Sequence, residues 1–106
     1  MTATIVLPLD PWTLRCFFNR ARYEHRAKMH EFTLEIHVGK VAKPVPGRAL
    51  GARHCYVIAQ KDGKDVFQAH QFVAGATHNP VSRLDPKIML FDGGVYELDR
   101  GYANPL

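Results

Sequence analysis

Among the side chains able to move protons, bind metal or act as nucleophiles near neutral pH are six histidines, His25, His30, His37, His54, His70 and His78, and two cysteines, Cys16 and Cys55. No C-x-x-C, H-x-x-x-H or H-E-x-x-H pattern joins them, so no metal site is expected unless separate strands assemble one. One ligand-type pair does follow from strand register. Asp62-Gly63 between two alternating runs predicts a type I′ hairpin with Lys61 opposite Lys64. Counting outward puts Ala59 opposite Val66, Ile58 opposite Phe67 and Cys55 opposite His70. A thiol beside an imidazole is a weak candidate for half a metal site or an activated thiolate, and it lacks a third partner.

Acid–base chemistry is the other catalytic possibility. A metal-independent ribonuclease needs a base, an acid and a cation for the phosphorane charge, and His suits the first two roles because its pKa lies near neutrality. His37 on the polar side of a strand and His78 in a long connection are the weak candidates, with Arg48 or Arg53 as the clamp. Nothing in their spacing demands this reaction. Catalysis is therefore not the favoured expectation, and the absence of a P-loop or G-x-G-x-x-G pattern argues against a nucleotide cofactor.

Binding chemistry is better represented. Arg15, Arg22 and Arg26 recur at i, i+7 and i+11, flanked by Trp12, Asn19 and Tyr23, so cations and aromatic rings interleave along one side of a helix. Rings beside guanidinium groups can stack on bases and pair with phosphates of single-stranded or looped nucleic acid. An ordinary solvated helix face is the competing reading. Residues 40–52 add Lys40, Lys43 and Arg48 among Pro44, Pro46, Gly47 and Gly51, with Arg53 just beyond and no acid. Such a connection is more often functional or mobile than incidental; it is expected beside the arginine stripe, with a disordered surface hairpin tip as the alternative.

These side chains must be positioned by a small set of elements. Thr2 to Leu7, rich in β-branched residues and ended by Pro8, predicts a first strand of open polarity. Asp10 and Pro11 then start a helix reaching His30, whose core stripe is Leu14, Phe17, Phe18, Ala21, His25 and Met29. Beyond His30 the period falls to two, and Phe32, Leu34, Ile36 and Val38 define a half-buried strand ending at Gly39. After the Asp62-Gly63 hairpin, residues 73–86 form a second long connection. A last hairpin about Gly93-Gly94 puts Met89, Phe91, Tyr96 and Leu98 on one face.

Length and charge bound the class. With 106 residues the chain is expected to be one domain over 1–106, with a flexible tail at 100–106. Two cysteines make no disulfide framework, and neither a signal peptide nor a membrane span is visible, so a cytoplasmic protein without membrane contact is expected. The net charge is +4. It is unevenly spread: nine Lys or Arg against three Glu between Pro11 and His54, and five against six acids from Cys55 onward. A positive half turned toward a polyanion explains that bias.

The expected fold is α+β, a single amphipathic helix packed on a mainly antiparallel sheet of five to six strands in the order β-α-β-β-β-β-β. The expected function is a small cytosolic binding module that engages nucleic acid or a nucleoprotein. Trp12, Arg15, Asn19, Arg22, Tyr23, Arg26, Lys40, Lys43, Arg48 and Arg53 would carry it. A protein-interaction or inhibitor module for an acidic partner, and the His-based ribonuclease, are the alternatives. A homodimer is compatible with the sequence.

Overall fold

The computed structural model describes residues 5–103. Residues Thr2 to Thr4 of the expected first strand, and 104–106 of the expected tail, lie outside them. Asp10 caps helix α1 (Pro11–Arg20): its Oδ1 accepts from the Thr13 amide at 2.8 Å and its Oδ2 from the Thr13 hydroxyl at 2.7 Å. Pro11 occupies the first helical position, where no amide hydrogen is needed. The helix does not continue to His30. Arg22 adopts the left-handed region (φ 57°, ψ 33°), and a second helix, α2 (Tyr23–Lys28), starts after it.

This break resets the phase of the apolar stripe. Leu14 and Phe18 of α1 are buried as the 3.6-residue period requires, but His25 and Met29 are exposed and Tyr23 and Ala27 are buried in their place. A non-glycine residue in the left-handed region costs on the order of 1–3 kcal/mol, so it persists only where packing over-determines it. The compensation is the Tyr23 ring. It contacts Phe18, Phe32 and Phe67 with centroids 5.4–5.9 Å away, and its hydroxyl donates to Leu90 O at 2.6 Å.

Six strands form one sheet in the order β1-β6-β5-β4-β3-β2. They are β1 (Val6–Leu9), β2 (Thr33–Val41), β3 (Arg53–Lys61), β4 (Lys64–Val73), β5 (Asp85–Phe91) and β6 (Gly94–Leu98). All neighbours are antiparallel except β1 and β6, which run parallel. The fold is thus α+β and dominated by the sheet. Pro8 lies inside β1 rather than ending it, which is tolerated because β1 is an edge strand. A short helix, α3 (Arg100–Ala103), follows β6, so the tail expected from residue 100 begins with a helical turn.

Both hairpin turns are legible in their dihedral angles. Asp62 and Gly63 have φ of 53° and 76°, the type I′ pattern, and Asp92 and Gly93 repeat it at 49° and 80°. The last turn is therefore centred one residue earlier than Gly93-Gly94, with Phe91 paired to Gly94. In the β3–β4 hairpin Lys61 does face Lys64, but the register shifts between Ala59 and Gln60, leaving Val66 as an extra residue. Ala59 consequently pairs with Phe67, Tyr56 with His70 and Cys55 with Gln71. The bulge turns Phe67 under the helices, where its ring meets Phe18 at 5.1 Å. Full burial of such a ring contributes about 1.5–3 kcal/mol, more than the ladder bonds that the bulge disturbs.

The two helices cover one side of this sheet. Cys55, Val57, Ala59, Phe67, Ala69, Val73 and Met89 point to that side and join Leu14, Phe18, Tyr23, Ala27 and Phe32 in one core. The alternate residues of the same strands, including Tyr56, Gln68, His70 and Phe72, point to the other side. No element among the described residues packs across that second face as a layer.

Candidate functional site

The arginine stripe is largely consumed inside the fold. Arg15 donates through Nη2 to Leu84 O at 2.6 Å, lies 4.0 Å from Asp85 and covers the Phe18 ring at 5.7 Å. Burial, and next the nearby Arg83, hold its pKa below the ordinary arginine value. Arg26 pairs with Glu31 at 2.5 Å, donates to Ala21 O at 3.2 Å and lies 5.1 Å from the Tyr23 and Phe32 rings. Tyr23, expected on the outer arc, is a core residue. Trp12, Asn19 and Arg22 remain exposed on the helical layer.

The basic connection goes elsewhere. Between β2 and β3, Arg48 donates to Lys43 O and lays its guanidinium 4.2 Å from the centroid of Phe72. Phe72 belongs to the uncovered face, so Arg48 and the helical stripe lie on opposite sides of the sheet and do not merge into one field. Lys40 and Lys43 are exposed, and Arg53 donates through Nε to Gly39 O at 2.8 Å. The separation follows from the strand period, since Phe72 and its core neighbour Val73 must face opposite ways.

Around Phe72 the uncovered face collects rings. His54 pairs with Phe72 and Tyr56 with His70, while Nδ1 of His54 lies 2.9 Å from Nε2 of His70. The His54 and His70 rings stand 5.2 and 4.9 Å from the Phe72 ring. The Tyr56 hydroxyl donates to Gln68 Oε1 at 3.0 Å. Three depressions run along this face. One of about 240 Å³ adjoins Gly47, Arg48 and Phe72; one of about 320 Å³ is lined by His37, His54, Tyr56 and His70; one of about 660 Å³ extends from Tyr56 and His70 to Lys87, Glu97 and Arg100.

The electrostatics centre on His70. Its pKa is pushed below 6.5, first by burial, then by His54, Lys87 and Arg48, with Asp85 opposing. Two permanent cations thus act on this imidazole, against one carboxylate. An anion bound there would meet a preformed cationic setting. Lys87 is also paired with Asp85 at 2.9 Å, and Glu97 shares the largest depression with Arg100, so the face is mixed in charge and rich in aromatic rings.

The remaining candidates separate. Cys55 is buried on the helix side and its thiol pKa is raised by that burial, while His70 faces away from it; they do not form the expected pair, because the bulge at Val66 moved every partner by one residue. His37 pairs with Glu35 at 3.4 Å on β2, and His78 sits in the β4–β5 connection, its amide donating to Ala74 O at 2.9 Å. Among the described residues no three His, Cys, Asp or Glu side chains form a metal-binding group. His54, Tyr56, Gln68, Phe72, Lys87 and Arg100 were not singled out by spacing. Their signal was the second-residue recurrence of His, Tyr, Gln and Phe on the strand sides opposite the apolar set.

No protein-family model, curated protein or solved structure matches this chain. No helix among the described residues is long and apolar enough to cross a membrane.

Proposed function

We propose that the protein is a binding module for single-stranded nucleic acid and that the uncovered sheet face is its contact surface. His54, His70 and Tyr56 offer rings, and Arg48 seated on Phe72 offers a guanidinium plane, on which successive bases stack, while Arg48, Lys87 and Arg100 offer cations for the connecting phosphates. The single observation that carries the reading is the Arg48 guanidinium laid 4.2 Å over Phe72 beside the His54–His70 pair. The ring seats beside the two imidazoles a guanidinium that can itself stack on a base and pair with a phosphate. The alternation that sends the apolar set into the core supplies this surface on the other side.

The test is a fluorescence-anisotropy titration with a single-stranded oligonucleotide and its duplex at several salt concentrations. Single-stranded binding should be the tighter. Three phosphate contacts predict a slope of about −2 for log affinity against log salt. An acidic protein partner would use the same cations but has no need of the rings, so loss of binding in His54→Ala, which leaves Arg48 on Phe72, favours nucleic acid. Equal affinity for duplex and single strand, or full binding by Phe72→Ala, overturns the reading.

A further inference from the structure

Among the described residues the sheet ends on one side in β2, a strand whose edge-blunting features, Lys40 and a register shift, come only after Val38. β1, the opposite edge, is four residues long and contains Pro8, two features that discourage further pairing. β2 is nine residues long, and its stretch from Thr33 to Val38 contains neither Pro nor Lys. Leu34, Ile36 and Val38 lie across from Ala59, Val57 and Cys55, hence on the helix side, yet Leu34 is 41% and Ile36 48% exposed. They border a groove of about 180 Å³ lined also by Ala27, Val57, Pro80 and Leu84. Glu35 and His37 point to the other face, opposite Ile58 and Tyr56.

We propose that β2 pairs antiparallel with β2 of a second copy of this chain, about a two-fold axis through Ile36 and perpendicular to the sheet. The strand is self-complementary about that residue. Ile36 meets the partner's Ile36, Leu34 meets the partner's Val38, and Glu35 meets the partner's His37, each contact occurring twice except the first. Pairing runs from Thr33 to Gly39, seven residues centred on Ile36, and stops where the β2–β3 register shifts after Val38. Other registers fit worse. An axis through Glu35 would oppose two carboxylates, and an axis through His37 would set Leu34 against the partner's Lys40.

The result is a continuous twelve-stranded sheet with both helical layers on one side, which satisfies the free backbone groups of β2 and covers Leu34 and Ile36. The strand's own complementarity about Ile36 selects a second copy as the occupant: Leu34 faces an apolar Val38, and Glu35, which lies 3.4 Å from His37 of its own strand, faces an imidazole of the partner and not a second carboxylate.

Sedimentation equilibrium of the full chain, free of nucleic acid, tests this independently of the proposed binding activity. The protein should be a dimer, and Ile36→Lys, a change at a half-exposed position, should be monomeric with an unchanged far-ultraviolet spectrum. Glu35→His should weaken the dimer roughly tenfold, since one substitution alters two symmetry-related pairs. The double change Glu35→His with His37→Glu should restore it. A chain that stays monomeric up to roughly 1 mM overturns the proposal. So does a dimer that survives Ile36→Lys, or one that Glu35→His weakens and the double change does not restore.

Discussion

His54 and His70 share a hydrogen bond of 2.9 Å across a diagonal of the β3–β4 ladder, since the residues directly opposite are His54 with Phe72 and Tyr56 with His70. One nitrogen of that pair must donate and the other accept. A second proton would set two N–H groups against each other, and the depressed pKa of His70, caused first by burial and next by His54, points the same way.

The depression gives a pH dependence with a definite sign. In the folded protein His70 releases its proton below 6.5, so as pH falls through 6.5 the unfolded chain takes up protons first. The contribution of this residue to stability is complete above that value and is lost as pH falls toward the folded-state pKa. Urea unfolding of the native protein and of His70→Gln at about pH 8 and about pH 5 checks this. The stability advantage of the native protein should shrink at the lower pH; an advantage that grows there contradicts the assignment. Nucleic-acid affinity should move oppositely and rise as pH falls, because a phosphate favours the imidazolium form.

Phe72→Ala, which removes the seat of the Arg48 guanidinium, should lower single-strand affinity by roughly 5- to 150-fold, the range for one stacked base worth about 1–3 kcal/mol. Arg48→Ala should lower it as well and should also flatten the salt dependence, because it removes a cation. Anisotropy at three salt concentrations separates the two effects. Parallel salt slopes for native protein and Arg48→Ala would remove Arg48 from the contact.

Arg15 should matter for stability. Its guanidinium satisfies Leu84 O at 2.6 Å and covers Phe18, tying α1 to the segment entering β5. Arg15→Ala leaves that carbonyl without its partner and should cost about 1–3 kcal/mol. The melting temperature should fall by roughly 4–8 °C for each kcal/mol, while affinity for nucleic acid at a temperature where the variant is folded should stay unchanged. A large loss of affinity in a fully folded Arg15→Ala protein would return the helix to the contact surface.

Arg22 provides the opposite case. Its left-handed backbone strains any residue with a Cβ, and its side chain is exposed. Arg22→Gly should therefore raise stability by about 1 kcal/mol, visible as a higher melting temperature. A lower melting temperature would mean that the arginine side chain contributes more than its backbone costs.

Much of the local architecture was legible in the chain. Asp10-Pro11 marked a helix start, Asp62-Gly63 a type I′ turn, and the alternation of Leu34, Ile36 and Val38 a strand, although β2 runs past Gly39 to Val41 and, lying at the sheet edge, is exposed along most of its length instead of half-buried. The shared face of Met89, Phe91, Tyr96 and Leu98 also followed from alternation, although the turn that joins the two strands sits one residue earlier. Each of these depends on the steric preferences of a few adjacent residues, and such preferences travel with the sequence.

Other features depended on distant residues. The helix breaks at Arg22 because Tyr23 gains more in contact with Phe18, Phe32 and Phe67 than an unbroken helix would gain by burying His25. The bulge at Val66 arises because Phe67 belongs in the same core, and that one residue moved His70 from Cys55 to Tyr56 and so to the uncovered face. Parallel pairing of β1 with β6 joins segments nearly ninety positions apart, from Val6 to Val95. Local propensity decided which elements form. Burial of the shared aromatic core decided where they break, how they are registered and which face of the sheet stays open, because that free energy is summed over the whole chain and no short window contains it.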